Sequence, residues 1–239
     1  VCKIDILDIH SHILPGVDDG AKDLEESVKL LEMLKEQGVT AVLATPHFYG
    51  MQDSIEDFLE RRENAKKALL SEIKDRDLPA VYIGGEILYF PGMGGIERVK
   101  ELGITGAKYI LLEFSVIDFN DNVCRDILNI RDNFGLIPII AHIERYKQFK
   151  NYKKLLHLVE AGEILSQVNA GSVVEGVFSK SAHKLLKKNL VHFIGSDAHS
   201  VDRRPPRMAE AYRIIGEKYG KETENRLKEN SSRFLEELK

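Results

Sequence analysis

The 239-residue chain is 43% hydrophobic and 30% charged, long enough to bury one substantial core, and holds no low-complexity tract. Its formal net charge of −4 gives no long-range pull toward nucleic acid or an anionic membrane. Cys2 and Cys124 are too few for a disulfide framework or a thiolate metal site, and the longest apolar stretch, GLIPIIAHI at 135–143, falls far short of the ~20 residues of a spanning helix, so a cytoplasmic protein is expected.

Short β-branched runs alternate with segments of helical period, the pattern of βα units around a parallel sheet. The first strand is expected in IDILDIH (4–10), followed by a helix over LEESVKLLEMLKEQ that ends at Gly38. VTAVLATPH (39–47) is the second strand, and Ser54 with Asp57 forms a capping box that opens a long charged helix. AVYIGGE (80–86) and AKYILLE (107–113) follow, then a helix from Arg125 to Phe134 stopped by Gly135. LIPIIAH (136–142), a helix from Tyr152 to Ala161, EILSQVNA (163–170) and VHFIGSD (191–197) complete seven strands, and Pro205 and Pro206 lead into a helical C-terminal region. No linker or composition shift divides the chain, so residues 1–239 are expected to form a single domain.

Polar residues gather where these strands end: His10 and His12; His47; Glu86; Glu113; His142; Asn169; and Asp197 with His199. In a parallel barrel all those ends lie on one face, where active sites are built, and Asp19 can reach it from the loop after the first strand. A lone strand-end histidine is ordinarily a hydrogen-bonded core residue. The His10-x-His12 pair is stronger, because alternate strand residues point to one side. Glu86 and Glu113 each close an apolar run, where an unpaired carboxylate is costly to bury. His157, His183 and His192, placed on lysine-rich helices or inside a strand, are expected to be non-ligands.

Imidazole and carboxylate without sulfur suit zinc, manganese or iron. A catalytic zinc takes three protein ligands, so nine candidates imply two or three divalent ions with a bridging carboxylate, Glu86 or Asp197. Such ions make hydroxide from water at neutral pH and clamp the oxygens of an in-line displacement. Arg145 and Arg204 follow His142 and His199 closely, and the guanidinium fork matches phosphate. Position 8 is Asp8 and position 130 is Ile130, so neither cysteine has the arginine of a thiolate phosphatase, and no P-loop is present. Lysines cluster at 147–154 and 180–188; solvated helix faces are the ordinary reading, and a docking surface for an acidic tail is the alternative.

The ordered phrases HILPGVDDGA, ATPHF, GGEI, LLEF, AHIERY, NAGS and GSDAHSVDRRPPRM resemble the polymerase and histidinol phosphatase (PHP) superfamily. Within it they resemble the manganese-dependent tyrosine phosphatases of bacterial capsule and exopolysaccharide synthesis, the CpsB/CapC type. That resemblance implies a distorted (β/α)7 TIM-type barrel with the metal site at the C-terminal face of the strands. It implies three ions, most readily manganese with iron or zinc possible: His10, His12, Glu86 and Asp197 on the first; Glu86, Glu113 and His142 on the second; Asp19, His47 and His199 on the third. Arg145 and Arg204 match the phosphate-contacting arginines, and Asp18 matches no ligand, leaving it a turn residue. Ser11 and Ile143 stand where the family more often has cysteine and proline.

The implied reaction is hydrolysis of phosphotyrosine in a protein, such as a bacterial tyrosine kinase regulating capsule synthesis, by a hydroxide bridging two ions, with His199 or Asp197 as proton source. A phosphatase of a small ester such as histidinol phosphate would keep the same metals. An amidohydrolase would want an eighth strand and a bridging lysine, and a metal-loaded kinase-binding regulator would need no turnover.

Overall fold

The computed structural model describes residues 6–239; Cys2 and the start of the first expected strand lie outside them. Among the described residues every strand pairing is parallel. Strands β1 (Leu7–Ser11), β2 (Ala41–Ala44) and β4 (Ala80–Ile83) form one sheet in that order. Strands β3 (His47–Phe48), β5 (Glu86–Leu88), β6 (Tyr109–Glu113), β7 (Ile137–Ile140), β8 (Leu165–Asn169) and β9 (Phe193–Gly195) form the other.

The nine strands occupy the seven expected positions, because two of the seven are broken. Thr45 and Pro46 separate β2 from β3, where proline has no N–H to donate. Gly84 and Gly85 separate β4 from β5, and Arg62 Nη1 donates to the Gly84 carbonyl freed by that break (2.9 Å). The curled sheet closes on itself where Asp197 N donates to His10 O (2.8 Å) and His12 N to Ala198 O (2.9 Å). The distorted seven-position barrel is therefore the observed architecture.

Helices α1 (Leu24–Glu36), α2 (Ile55–Ile73), α3 (Asp121–Phe134), α4 (Tyr152–Glu160), α5 (Ala170–Val174), α6 (Ser179–Lys187), α7 (Met208–Tyr219) and α8 (Lys221–Leu238) connect and cover the strands. Ser54 Oγ accepts from Asp57 N (3.1 Å), as a capping residue does, and α2 starts there. α3 starts four residues earlier than expected because Asn120 Oδ1 accepts from both Asn122 N and Val123 N. Gly38 and Gly135 lie in the left-handed region at the ends of α1 and α3.

Strand alternation sorts the core. On β6, Ile110 and Leu112 belong to a large apolar cluster shared with the helices, whereas Tyr109 and Leu111 join Leu7, Leu43, Ile139 and Phe193 in a second cluster. Phe234 of α8 belongs to that second cluster, stacked on Tyr109 with ring centroids 4.5 Å apart. Glu113 shares the face of Tyr109 and Leu111, so the second cluster underlies the polar end of the barrel.

Candidate metal centre

β1 and its following loop supply the first part of the site. Pairing between β1 and β2 slips between Asp8 and Ser11, and His10 and His12 end with Nε2 atoms 3.2 Å apart. Ser11 points away, donating to Leu43 O at 3.0 Å. Gly16, in the left-handed region, and a pair of backbone hydrogen bonds (Gly16 N to Ala21 O, Ala21 N to His12 O) fold the loop back. Gly20 is required there: a Cβ would lie 2.2 Å from His12 O.

Asp18 corrects the sequence reading. It is not merely a turn residue: Oδ2 accepts from His12 Nδ1 at 2.6 Å and from His47 N at 2.9 Å, and Oδ1 accepts from Gly20 N at 3.0 Å. His12 Nε2 is thereby left facing the centre. Asp19 is mostly exposed, with Oδ1 3.6 Å from His47 Nε2 and 3.5 Å from His199 Nε2.

Glu86 is the hub. The β3–β5 register pairs it with His47, and Oε2 lies 3.1 Å from His10 Nε2, 3.2 Å from His12 Nε2 and 3.1 Å from His47 Nδ1. A fully buried carboxylate oxygen is thus ringed by three imidazole nitrogens. Its other oxygen is 2.8 Å from His142 Nε2, and Glu113 approaches His47 Nδ1 (3.2 Å) and His142 Nε2 (3.8 Å).

Asp197 divides its two oxygens. Oδ1 faces His10 and His12 (both 3.6 Å) and His199 Nδ1 (3.5 Å), while Oδ2 accepts from Arg145 (2.6 Å), Arg204 (2.5 Å) and Asn169 Nδ2 (2.5 Å). Both arginines thus stand beside the histidine cluster, one carboxylate away. Asp197 and His142 are non-glycine residues in the left-handed region, at φ 53° and 31°. Backbone of that kind costs on the order of 1–3 kcal/mol and persists where surrounding structure over-determines it.

Burial alone would push the Asp197 carboxyl up; His10, Arg145 and His142 overcome it and hold the group well below the carboxylate range. Glu86 behaves likewise, its burial outweighed by His10, His12 and His142. Burial depresses His12, but Asp18 and Glu86 push it up to about 10. Burial and then His12 push His199 down to about 3. Positive charge is therefore favoured at His10 and His12.

Three overlapping groups have ligand atoms all within 4.8 Å of one another: His12, Asp19, His47 and His199; His10, His12 and Glu86; and His47, Glu86 and Glu113. They overlap the implied ligand sets without matching them: His12 also joins the Asp19 group, and His47 stands with Glu86 and Glu113. The donor set fits divalent ions. His10 gives its Nδ1 proton to Gln167 Oε1 (3.1 Å) and His199 its Nδ1 proton to Asp197 O (3.0 Å), which leaves both Nε2 atoms inward as lone-pair donors. The buried Glu86 Oε2, His47 Nδ1 and His199 Nε2 have no hydrogen-bond partner among the described residues.

Sequence reasoning missed the supports. Gln167 and Asn169 lie on β8, and Tyr146 on the 3-10 helix Ile143–Gln148, with its hydroxyl 3.1 Å from His142 Nδ1. Asn169 was visible at a strand end, but nothing in its neighbours marks its bond to Asp197. Of the three histidines set aside, His183 bonds Tyr219 and His192 bonds Ser166; His157 is exposed, and none joins a ligand group among the described residues. Cys124 is buried, its thiol pushed up by that burial and directed at Phe119 O.

Residues 6–236 match the family described as capsular polysaccharide synthesis, CpsB/CapC. The chain is 35% identical over 232 residues to the tyrosine-protein phosphatase CpsB of Streptococcus agalactiae, covering 93% of this chain and 94% of that one. Its structure is similar, at a TM-score of 0.82 and 31% identity over 98% of this chain and 96% of the other, to one described with YwqE from Bacillus subtilis and CpsB from Streptococcus pneumoniae, unique metal-dependent tyrosine phosphatases. A histidinol phosphate phosphatase of Lactococcus lactis shares the fold at 16% identity and a TM-score of 0.58, covering 89% of this chain and 93% of that one.

Proposed function

The chain belongs to the CpsB/CapC family, and from that premise we propose that it is a metal-dependent protein-tyrosine phosphatase. The observation that carries the reading is the convergence of His10, His12, His47, Glu86, Glu113, His142, Asp197 and His199 from separate strand ends, with Arg145 and Arg204 both on Asp197. We read residues 1–239 as one PHP metallophosphatase domain; an apolar cluster running from Ile13 to Leu227 supports this.

Two or three divalent ions, manganese before iron or zinc, would be held by His10, His12, Asp19, His47, Glu86, Glu113, His142, Asp197 and His199, with Glu86 shared. Bound there, they supply hydroxide from water at neutral pH and neutralise phosphoryl charge. The chain's own residues do the rest. Arg145 and Arg204 bind the phosphoryl oxygens with fixed charge, and the Asp197 oxygen they share holds both forks at the same place. Water adds across the phosphorus–oxygen bond, giving inorganic phosphate and tyrosine. The departing phenol has a pKa of about 10 and needs little proton assistance.

The protein substrate we propose is a bacterial tyrosine kinase of capsular or exopolysaccharide synthesis, and the place of action the cytoplasm. Among the described residues no helix is long and apolar enough to cross a membrane. The test is hydrolysis of a phosphotyrosyl peptide, with the metal content measured, before and after chelation. Activity should vanish with the metal and return on adding manganese; turnover that survives complete removal would overturn the reading.

A further inference from the structure

A groove of about 570 Å³ opens between α4, α6 and the 3-10 helix that carries Arg145. Four exposed lysines line it, Lys147, Lys153, Lys184 and Lys188, and none has an ion-pair partner among the described residues. Lys154, also on its wall, is engaged by Asp121 at 2.6 Å, and Glu160 is the one acid in the lining. The buried Tyr152 and Leu185 make an apolar floor.

Folding does not explain this arrangement. Lys153 and Lys154 lie in the first turn of α4, which has no acidic residue, so cations sit against the positive end of the helix. Lys184 and Lys188 are one turn apart, where like charges repel. The helix dipole at the end of α6 favours them there, but it does not account for the lysines facing them across the groove.

We propose that the groove docks an acidic segment of the phosphotyrosyl protein, a proposal that rests on the phosphatase reading above. The lysines supply charge complementarity, and the apolar floor offers contact to side chains of a peptide lying in the cleft. A concave surface suits an extended peptide better than a planar bilayer. One short helix serves both the groove and the metal centre: Arg145 reaches Asp197 and, two residues on, Lys147 lines the groove. A substrate bound at both places would be recognised by its phosphotyrosine and by acidic residues beside it.

The test uses the full-length, manganese-loaded protein and three substrates: a phosphotyrosyl peptide flanked by a glutamate run, its neutral counterpart, and p-nitrophenyl phosphate. The acidic peptide should have a KM lower by about tenfold at low salt, an advantage that shrinks as salt screens the charges. The double reversal Lys184→Glu/Lys188→Glu, on exposed positions, should erase that advantage while leaving kcat and p-nitrophenyl phosphate turnover unchanged. Equal KM values for the two peptides in the unaltered protein, or an undisturbed advantage in the variant, would overturn the proposal while phosphatase activity stands. Fluorescence anisotropy with an unphosphorylated glutamate-rich peptide reads the groove without turnover: binding that the double reversal abolishes supports the docking, and absence of binding overturns it even if no substrate is hydrolysed. Lysine-dependent sedimentation with phosphatidylserine vesicles, without peptide binding, would overturn it in favour of a membrane contact.

Discussion

One side-chain amide holds much of the metal centre in place. Gln167 Oε1 accepts from His10 Nδ1 (3.1 Å) and from His142 N (2.7 Å), while Nε2 donates to Asn169 Oδ1 (2.8 Å). Asn169 in turn donates to the Asp197 oxygen that the arginines share. Three of the proposed ligands therefore depend on an uncharged residue that touches no ion. Gly195 leaves room for it: a Cβ there would lie 2.9 Å from Gln167 Nε2 and 2.7 Å from His10 Cβ. Gln167→Leu removes both functions of the amide and leaves the buried His142 N–H without its acceptor, a loss of about 1–3 kcal/mol. We expect manganese affinity to fall by roughly 10–100-fold, as for other residues that orient a ligand from behind. Calorimetric metal titration checks the affinity and circular dichroism the fold; wild-type affinity in a folded variant would rule out the orienting role.

At the scale of the element, the strand breaks turn a parallel sheet into a site. The break at Thr45 and Pro46 lets His47 restart in register with Glu86, and the break at Gly84 and Gly85 delivers Glu86 to the same level. At the start of the β8–β9 ladder sits a neutral histidine. Ser166 N donates to His192 Nδ1 (3.2 Å), and burial, then Arg226, push that imidazole down to about 4. Because the folded state binds this proton less readily than the unfolded chain, whose histidine titrates near 6.5, stability is intact above pH 6.5 and falls as pH drops from 6.5 toward 4. The acid slope attributable to His192 should total on the order of 3 kcal/mol. Denaturant titrations of wild type and His192→Gln across that range measure it; parallel slopes would contradict the assignment.

The seven strand positions were legible because alternating apolar residues and turn glycines are local signals, and so was the gathering of histidines and carboxylates at the strand ends. The breaks were not, since TPH and IGGE still read as continuous strand by composition. Asp18, Gln167 and Tyr146 were illegible for a different reason. Their roles are fixed by which residue lies across a loop or a neighbouring strand, and His12, His10 and His142 are 6, 157 and 4 positions away from them respectively.

Across the whole molecule, the proposed ligands come from positions 10 to 199 and from both sides of the seam where β9 returns to β1. An ion held by His10, His12, Glu86 and Asp197 ties the first strand, a middle strand and the last strand together, so metal binding and barrel closure are linked. The charge balance points the same way. With His12 pushed up to about 10 by Asp18 and Glu86, a proton offsets the carboxylates, and a divalent ion must displace it. Binding should therefore release protons and favour the folded state. At free manganese of about 100 times Kd, mass action contributes about 2.7 kcal/mol. For a chain of this size that is a rise in Tm of roughly 5–11 °C over the chelated protein. Glu86→Gln, which removes the shared charge, should shrink the rise and the proton release together. Scanning calorimetry with and without chelator, paired with proton release on adding manganese in weakly buffered solution, checks both; an unchanged Tm would mean that the clustered side chains do not hold the ions.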